Sequence, residues 1–107
     1  MNAPKNLNEL FPSEYLRRSD LQGKTWTMVV SSVEVKLMRS KFSNEDEWKA
    51  VLHFEGAQKG LVLNKTNAVK MAALARDESF EKWTGLRVAL VPSMYKGKET
   101  IVIEGAN

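Results

Sequence analysis

Residues 25–37 read TWTMVVSSVEVKL, and the alternation of their apolar positions decides how the rest of the chain folds. Trp26, Met28 and Val30 recur every second residue, as side chains on one face of a strand do. Past Ser31 and Ser32 the apolar set becomes Val33, Val35 and Leu37, so the phase slips by one. Such a slip turns a strand's apolar side to solvent unless a bulge or coil re-aims it. The stretch is therefore expected to be a long, bent first strand that serves two sheets.

Working outward, residues 48–54, WKAVLHF, place Trp48, Ala50, Leu52 and Phe54 on one face and Lys49, Val51 and His53 on the other, which predicts a second strand. The turn EGAQ leads into KGLVLN, residues 59–64, a third strand whose closeness to the second implies an antiparallel hairpin. NAVKMAALAR, residues 67–76, is built of strong helix formers, and Asn64 or Thr66 can cap it. DESFEKWTG adds a helical turn with Phe80 and Trp83 three apart, closed by Gly85. LRVALVP, residues 86–92, is a fourth strand with Leu86, Val88 and Leu90 inward, and Pro92 is expected to end its ladder because it lacks a donor. SMYKGK is a turn, and ETIVIEG, residues 99–105, is a fifth strand led by Ile101 and Ile103.

The order β-β-β-α-β-β is that of the OB-fold, a five-stranded, partly open Greek-key barrel with its helix between the third and fourth strands. The expected fold is mainly β with one helix, an OB-fold-like five-stranded barrel over residues 23–107. The competing arrangement is a generic α+β sheet with one packed helix. Residues 1–22 mix Asn, Pro and Ser with scattered apolar positions and read as a partly ordered N-terminal arm, with a helical turn over Ser13 to Arg18.

At 107 residues, 43% hydrophobic and 27% charged, the chain has the make-up of one globular domain. Its longest apolar runs fall far short of the ~20 residues that cross a bilayer, and Met1 to Gly23 lacks the apolar centre of a signal peptide. The expected location is cytoplasmic, with no membrane partner. Without cysteine there is no disulfide, thiolate nucleophile or cysteine-based metal site. A P-loop, a dinucleotide-binding glycine turn and a nucleophile elbow are all missing, and one histidine makes no triad. Neither an enzyme nor a bound cofactor is expected, and the acids of NEDE, residues 44–47, read as solvated surface rather than a metal site.

The net charge of +3 is mild, but it is banded. Lys59 to Arg76 carries cations and no acid, between acidic stretches at Glu45 to Gln58 and Asp77 to Thr84. On an OB-like barrel, a single strand of nucleic acid would cross the second and third strands between the loops that join strands one to two and four to five. The first loop offers Arg39, Lys41 and Phe42, and the other Tyr95, Lys96 and Lys98. Cations release counterions from phosphates while an aromatic face stacks a base without demanding a sequence. Lys49, His53 and Lys59 would line the groove floor. For His53 alone the simpler account is a wet sheet face, and Glu45, Asp46 and Glu47 oppose phosphate binding in the first loop. Trp26, Trp48 and Trp83 are in phase with apolar neighbours and are expected in the core.

The segments SEYLRRSDLQGKTWTMVV, KGLVLNKTNA and WTGLRVALVP resemble parts of small, largely uncharacterised proteins encoded by bacteriophages and prophages. That resemblance covers most of the chain after the arm and implies a viral origin in a bacterial host cell; it carries no catalytic signature. Together these readings predict a sequence-tolerant module for single-stranded DNA in replication or recombination. The alternative is a protein-interaction or structural module of phage assembly or host takeover, with a phage or host protein as partner.

Overall fold

The computed structural model describes residues 15–39 and 45–106. The elements are a short 3-10 turn at Arg18–Leu21, β1 (Trp26–Arg39), β2 (Asp46–Phe54), β3 (Leu61–Val62), α1 (Lys65–Ala75), a second 3-10 turn at Phe80–Trp83, β4 (Arg87–Tyr95) and β5 (Lys98–Gly105). The fold is mainly β with one helix, and its strands form one antiparallel five-stranded sheet in the order β3-β2-β1-β4-β5.

The phase slip in β1 has its structural counterpart. Val30 pairs with Phe54 while Ser32 pairs with His53, so Ser31 is the extra residue of a bulge. Before the bulge, Trp26 to Val29 pair with β4; beyond it, Val33 to Arg39 pair with β2. One strand thus serves two ladders, and the bulge keeps both apolar sets on the inner side. Val30, Leu52, Phe54, Val88, Leu90, Ile101 and Ile103 join Leu21, Met71 and Trp83 in a single core. The Trp83 ring meets Phe80 edge-on at 5.0 Å.

Hydrogen-bond parity explains why Pro92 does not stop β4, contrary to the expectation from its missing donor. Asn67 bonds Ile101 O and Ile103 N from outside the sheet, so those residues direct their main-chain groups away from β4. Their partners Pro92 and Leu90 must then point away from β5, because directly opposed antiparallel residues either bond each other or both face outward. At Leu90 that side meets β1, but β1 begins opposite Leu90. The side on which Pro92 would need a donor therefore faces no strand, and the ladder continues to Tyr95 opposite Lys98. The turn is only Lys96 and Gly97, with φ of 49° and 77°, the two positive values of a tight I′ hairpin.

β3 is also shorter than KGLVLN suggests, two residues only. In a flat sheet of this order its edge strands β3 and β5 would lie about 19 Å apart, four strand spacings. Yet Leu61 and Val62 share one groove of about 420 Å³ with Glu99, Thr100 and Ile101. The sheet is therefore curled upon itself, but β3 and β5 do not pair and it does not close.

Two devices occupy that seam. The segment before β1 forms a parallel bridge from Tyr15 to Gly60, with Leu16 N–H donating to Gly60 O at 2.8 Å. It then crosses to β5 through an Arg18–Glu99 ion pair at 3.1 Å and buries Leu21. The expected helical turn over Ser13 to Arg18 is displaced: residues 15–17 are not helical and the turn lies at Arg18–Leu21. The second device is α1, which Asn64 caps by accepting from Asn67 N–H at 2.8 Å. Asn67, 3% exposed, donates to Ile101 O at 2.8 Å and accepts from Ile103 N–H at 3.0 Å. Its amide does for β5 what a neighbouring strand would.

Candidate functional site

Among the expected binding residues, Lys49 and His53 do share the outer face of β2. Gly60 of the β2–β3 connection lies so close against that strand that a Cβ at this position would stand 2.7 Å from Val51 Cγ1. The face is not a bare basic groove. Lys49 is paired with Glu47 at 3.1 Å, His53 with Glu34 at 2.9 Å and Lys59 with Asp20 at 3.2 Å. Tyr15 reaches across to Lys36, whose ammonium donates to the phenol oxygen at 3.2 Å and lies 5.8 Å from the ring centre. Val51, in the middle of this outer face, is fully buried as a result. The strap formed by residues 15–20 therefore lies where a nucleic-acid strand is expected from the sequence.

Arg39 ends β1 beside Asp46 at 3.8 Å, both well exposed. Lys41 and Phe42 lie outside the described residues, and so does the expected placing of Phe42 and Tyr95 as two walls of one channel.

The remaining three residues come together at the other hairpin. Tyr95 is 64% exposed at the tip of β4, opposite Lys98, and Lys96 Nζ lies 5.4 Å from its ring centre. Tyr95, Lys98, Thr100 and Val102 share the outer face of the β4–β5 hairpin, and this face meets the first turn of α1. The two enclose a largely apolar cleft of about 410 Å³ that also takes in Asn64, Lys65 and Thr66. The site thus combines an exposed ring, cations from two separate elements, an apolar floor and one carboxylate, Glu99, whose charge is met by Arg18 at 3.1 Å. A planar anionic ligand suits this combination, because the ring stacks its flat part and the ammonium groups meet its charge.

A second exposed feature escapes the sequence pattern. Trp48, expected in the core, is 71% exposed. It stands opposite Leu37, with Val35 opposite Ala50 two pairs closer to the body, and Val35 and Leu37 are also exposed. The reason is reach: β4 accompanies β1 only as far as Val29, and β3 accompanies β2 only at Val51 and Leu52. The outer part of the β1–β2 hairpin projects as a two-stranded ribbon beyond the layer that would cover it. The length of a neighbouring strand is not written in the alternation of Trp48, Ala50 and Leu52, so only the shortness of β3 would have signalled the exposure. Trp83 at 2% and partly buried Trp26 do pack against the core.

No helix of the described residues is long and apolar enough to cross a membrane. Compared with known proteins, the chain matches no family model, no curated protein and no solved structure.

Proposed function

We propose that the chain is a phage-derived module that holds single-stranded nucleic acid, most simply DNA, without demanding a sequence, on an OB-like barrel left open between β3 and β5. The strand order supports this frame: β1 lies between β2 and β4, β5 follows β4, and the helix joins β3 to β4. The observation that carries the reading is the Tyr95 cleft, lined by that exposed ring, Lys65 and Lys98, with Lys96 held near the ring itself. Stacking on one ring contributes about 1–3 kcal/mol per base and tolerates any base, while the lysines supply a salt-sensitive phosphate contribution. This moves the contact surface from the β2–β3 face, closed by the strap, to β5 and the start of α1.

Titration of a fluorescent oligonucleotide at low salt tests the reading. Micromolar binding is expected, falling linearly with salt on logarithmic axes. Tyr95→Ala and Lys65→Ala should weaken it more than Lys49→Ala, whose charge is already met by Glu47. Absence of binding at micromolar protein, or equal losses at all three positions, sinks the proposal.

A second reading is favoured by the ribbon: Val35, Leu37 and Trp48 form an apolar surface that fits a protein partner rather than a phosphate chain. Capture of a partner that survives nuclease treatment and is lost with Trp48→Ser would support it.

A further inference from the structure

Beyond the bulge, one edge of β1 faces no other strand among the described residues, and parity shows which residues present it. Leu63 N–H donates to Ala50 O, so Ala50 directs its main-chain groups toward β3 and away from β1. Its partner Val35 must then face away from β2 as well, and so must Val33 and Leu37 two residues to either side. At Val30 that outer side is occupied, because Val30 N–H donates to Leu86 O and Gly85 N–H to Val30 O. Further along the strand there is no β4, which begins at Arg87 opposite Val29; the chain before it is the Phe80–Trp83 turn, which packs against β1, and Val33, Val35 and Leu37 have no strand on that side among the described residues. An edge of this kind is a template for another strand.

We propose that the strand it fits is its own counterpart: a second copy of this chain pairs antiparallel along β1, with Val35 opposite Val35 and Glu34 opposite Lys36 of the other copy. Outward-facing residues must oppose outward-facing residues, which allows Val35 to stand against Val33, Val35 or Leu37 of the second copy. Opposite Val33, Glu34 would face Glu34; opposite Leu37, Lys36 would face Lys36. Only the register that centres the twofold axis on Val35 sets Glu34 against Lys36, and symmetry makes that contact twice. Glu34 and Lys36 occupy the non-bonded positions of the new ladder, where opposed side chains are closest. Their present partners do not preclude this, since His53 engages one Glu34 oxygen and an ammonium has three donors. On the other face Val33 meets Leu37 twice and Val35 meets Val35, so apolar side chains now half-exposed gain cross-strand neighbours. The result is a continuous four-stranded ribbon, β2-β1-β1-β2, across two molecules. The contact is small, in the class of weak and reversible interfaces.

Sedimentation equilibrium of the full chain from about 10 µM to about 1 mM, the range suited to a small interface, tests the proposal. The mass should rise toward twice the monomer. Glu34→Lys alone places Lys opposite Lys36 twice, and Lys36→Glu alone places Glu opposite Glu34 twice; each should weaken self-association about tenfold, as two reversed cross-strand pairs imply. An equimolar mixture of the two single variants restores both opposite-charge contacts and should associate like the original chain, as should the double swap. Amide exchange provides a readout that needs no variant: Val33, Val35 and Leu37 should be protected at high concentration and exchange freely at low concentration. A folded chain that stays monomeric at the highest concentration, single variants that associate unchanged, or exchange at these amides independent of concentration would each overturn the pairing.

Discussion

Replacing Asn67 with alanine should be among the costliest polar substitutions in the molecule. Its side-chain amide is the partner of two main-chain groups on the outer edge of β5, Ile101 O at 2.8 Å and Ile103 N–H at 3.0 Å, and all three are buried. Alanine keeps the helix and supplies neither bond. Each buried main-chain group deprived of its partner costs about 1–3 kcal/mol, so the two together cost roughly 2–6 kcal/mol. Alanine's better helix propensity returns about 0.6 kcal/mol, leaving a net loss of roughly 1.5–5 kcal/mol. Against a typical domain stability of about 5–15 kcal/mol this is a large fraction. Urea denaturation followed by tryptophan fluorescence reads it as a midpoint lowered by roughly 0.5–5 M, given a slope of about 1–3 kcal/mol per molar urea for a small protein. Asn67→Asp sharpens the test, because a carboxylate can still accept from Ile103 N–H but opposes the Ile101 carbonyl oxygen, and it should be no more stable than the alanine variant. A midpoint shift under about 0.3 M for alanine, at unchanged slope, would refute the view that this amide takes the place of a missing strand.

Trp48→Ser should change stability by no more than about 0.5 kcal/mol, whereas Trp83→Ala should cost about 3–5 kcal/mol; thermal melts of the two separate an exposed tryptophan from a core one. Gly60→Ala should destabilise by about 1–3 kcal/mol, since its new Cβ would lie 2.7 Å from Val51 Cγ1 and 3.0 Å from Leu52 O, and denaturant titration measures this directly. The Asp77 carboxylate is held below its ordinary value of 3.8, first by hydrogen bonds from the Ser79 main chain and side chain and then by nearby Lys82. A lowered carboxylate contributes stability that is present above its unfolded value and lost as pH falls through the folded one. Melting temperatures below about pH 4 should therefore fall less steeply for Asp77→Asn than for the original chain, and parallel curves would contradict it.

Local pattern carried much of this architecture. The slip between Val30 and Val33 marked the bulge, the alanine-rich run marked α1 with its cap left between Asn64 and Thr66, and Val88, Leu90, Ile101 and Ile103 declared their inward face. What alternation does not encode is how far each strand keeps its neighbour company. Trp48 obeys the same period as Leu52, yet one is exposed and the other buried, because β3 accompanies only the inner end of β2. Pro92 similarly has no donor to give, but whether that matters depends on which side of β4 is occupied at that level. The lysines of the outer β2 face were legible as residues and not as a surface. Asp20 and Glu34 come from the strap and from β1, and only the fold brings them to Lys59 and His53; Glu47 sits two residues from Lys49 on the same strand face. The Tyr95 hairpin was readable because its ring, its turn and two of its lysines are consecutive in the chain. Lys65 joins them through the packing of α1 on β5, from about thirty residues away in the sequence.

The two long hairpins, β1–β2 and β4–β5, are local in sequence, whereas the ladder that unites them is just the four pairs from Trp26–Leu90 to Val29–Arg87. Closing that distant contact requires ordering the intervening chain first, an entropic toll that local hairpins escape. The rate at which this protein is born from its unfolded state should therefore be governed by the meeting of two prefabricated halves, with their tips forming early and their junction last.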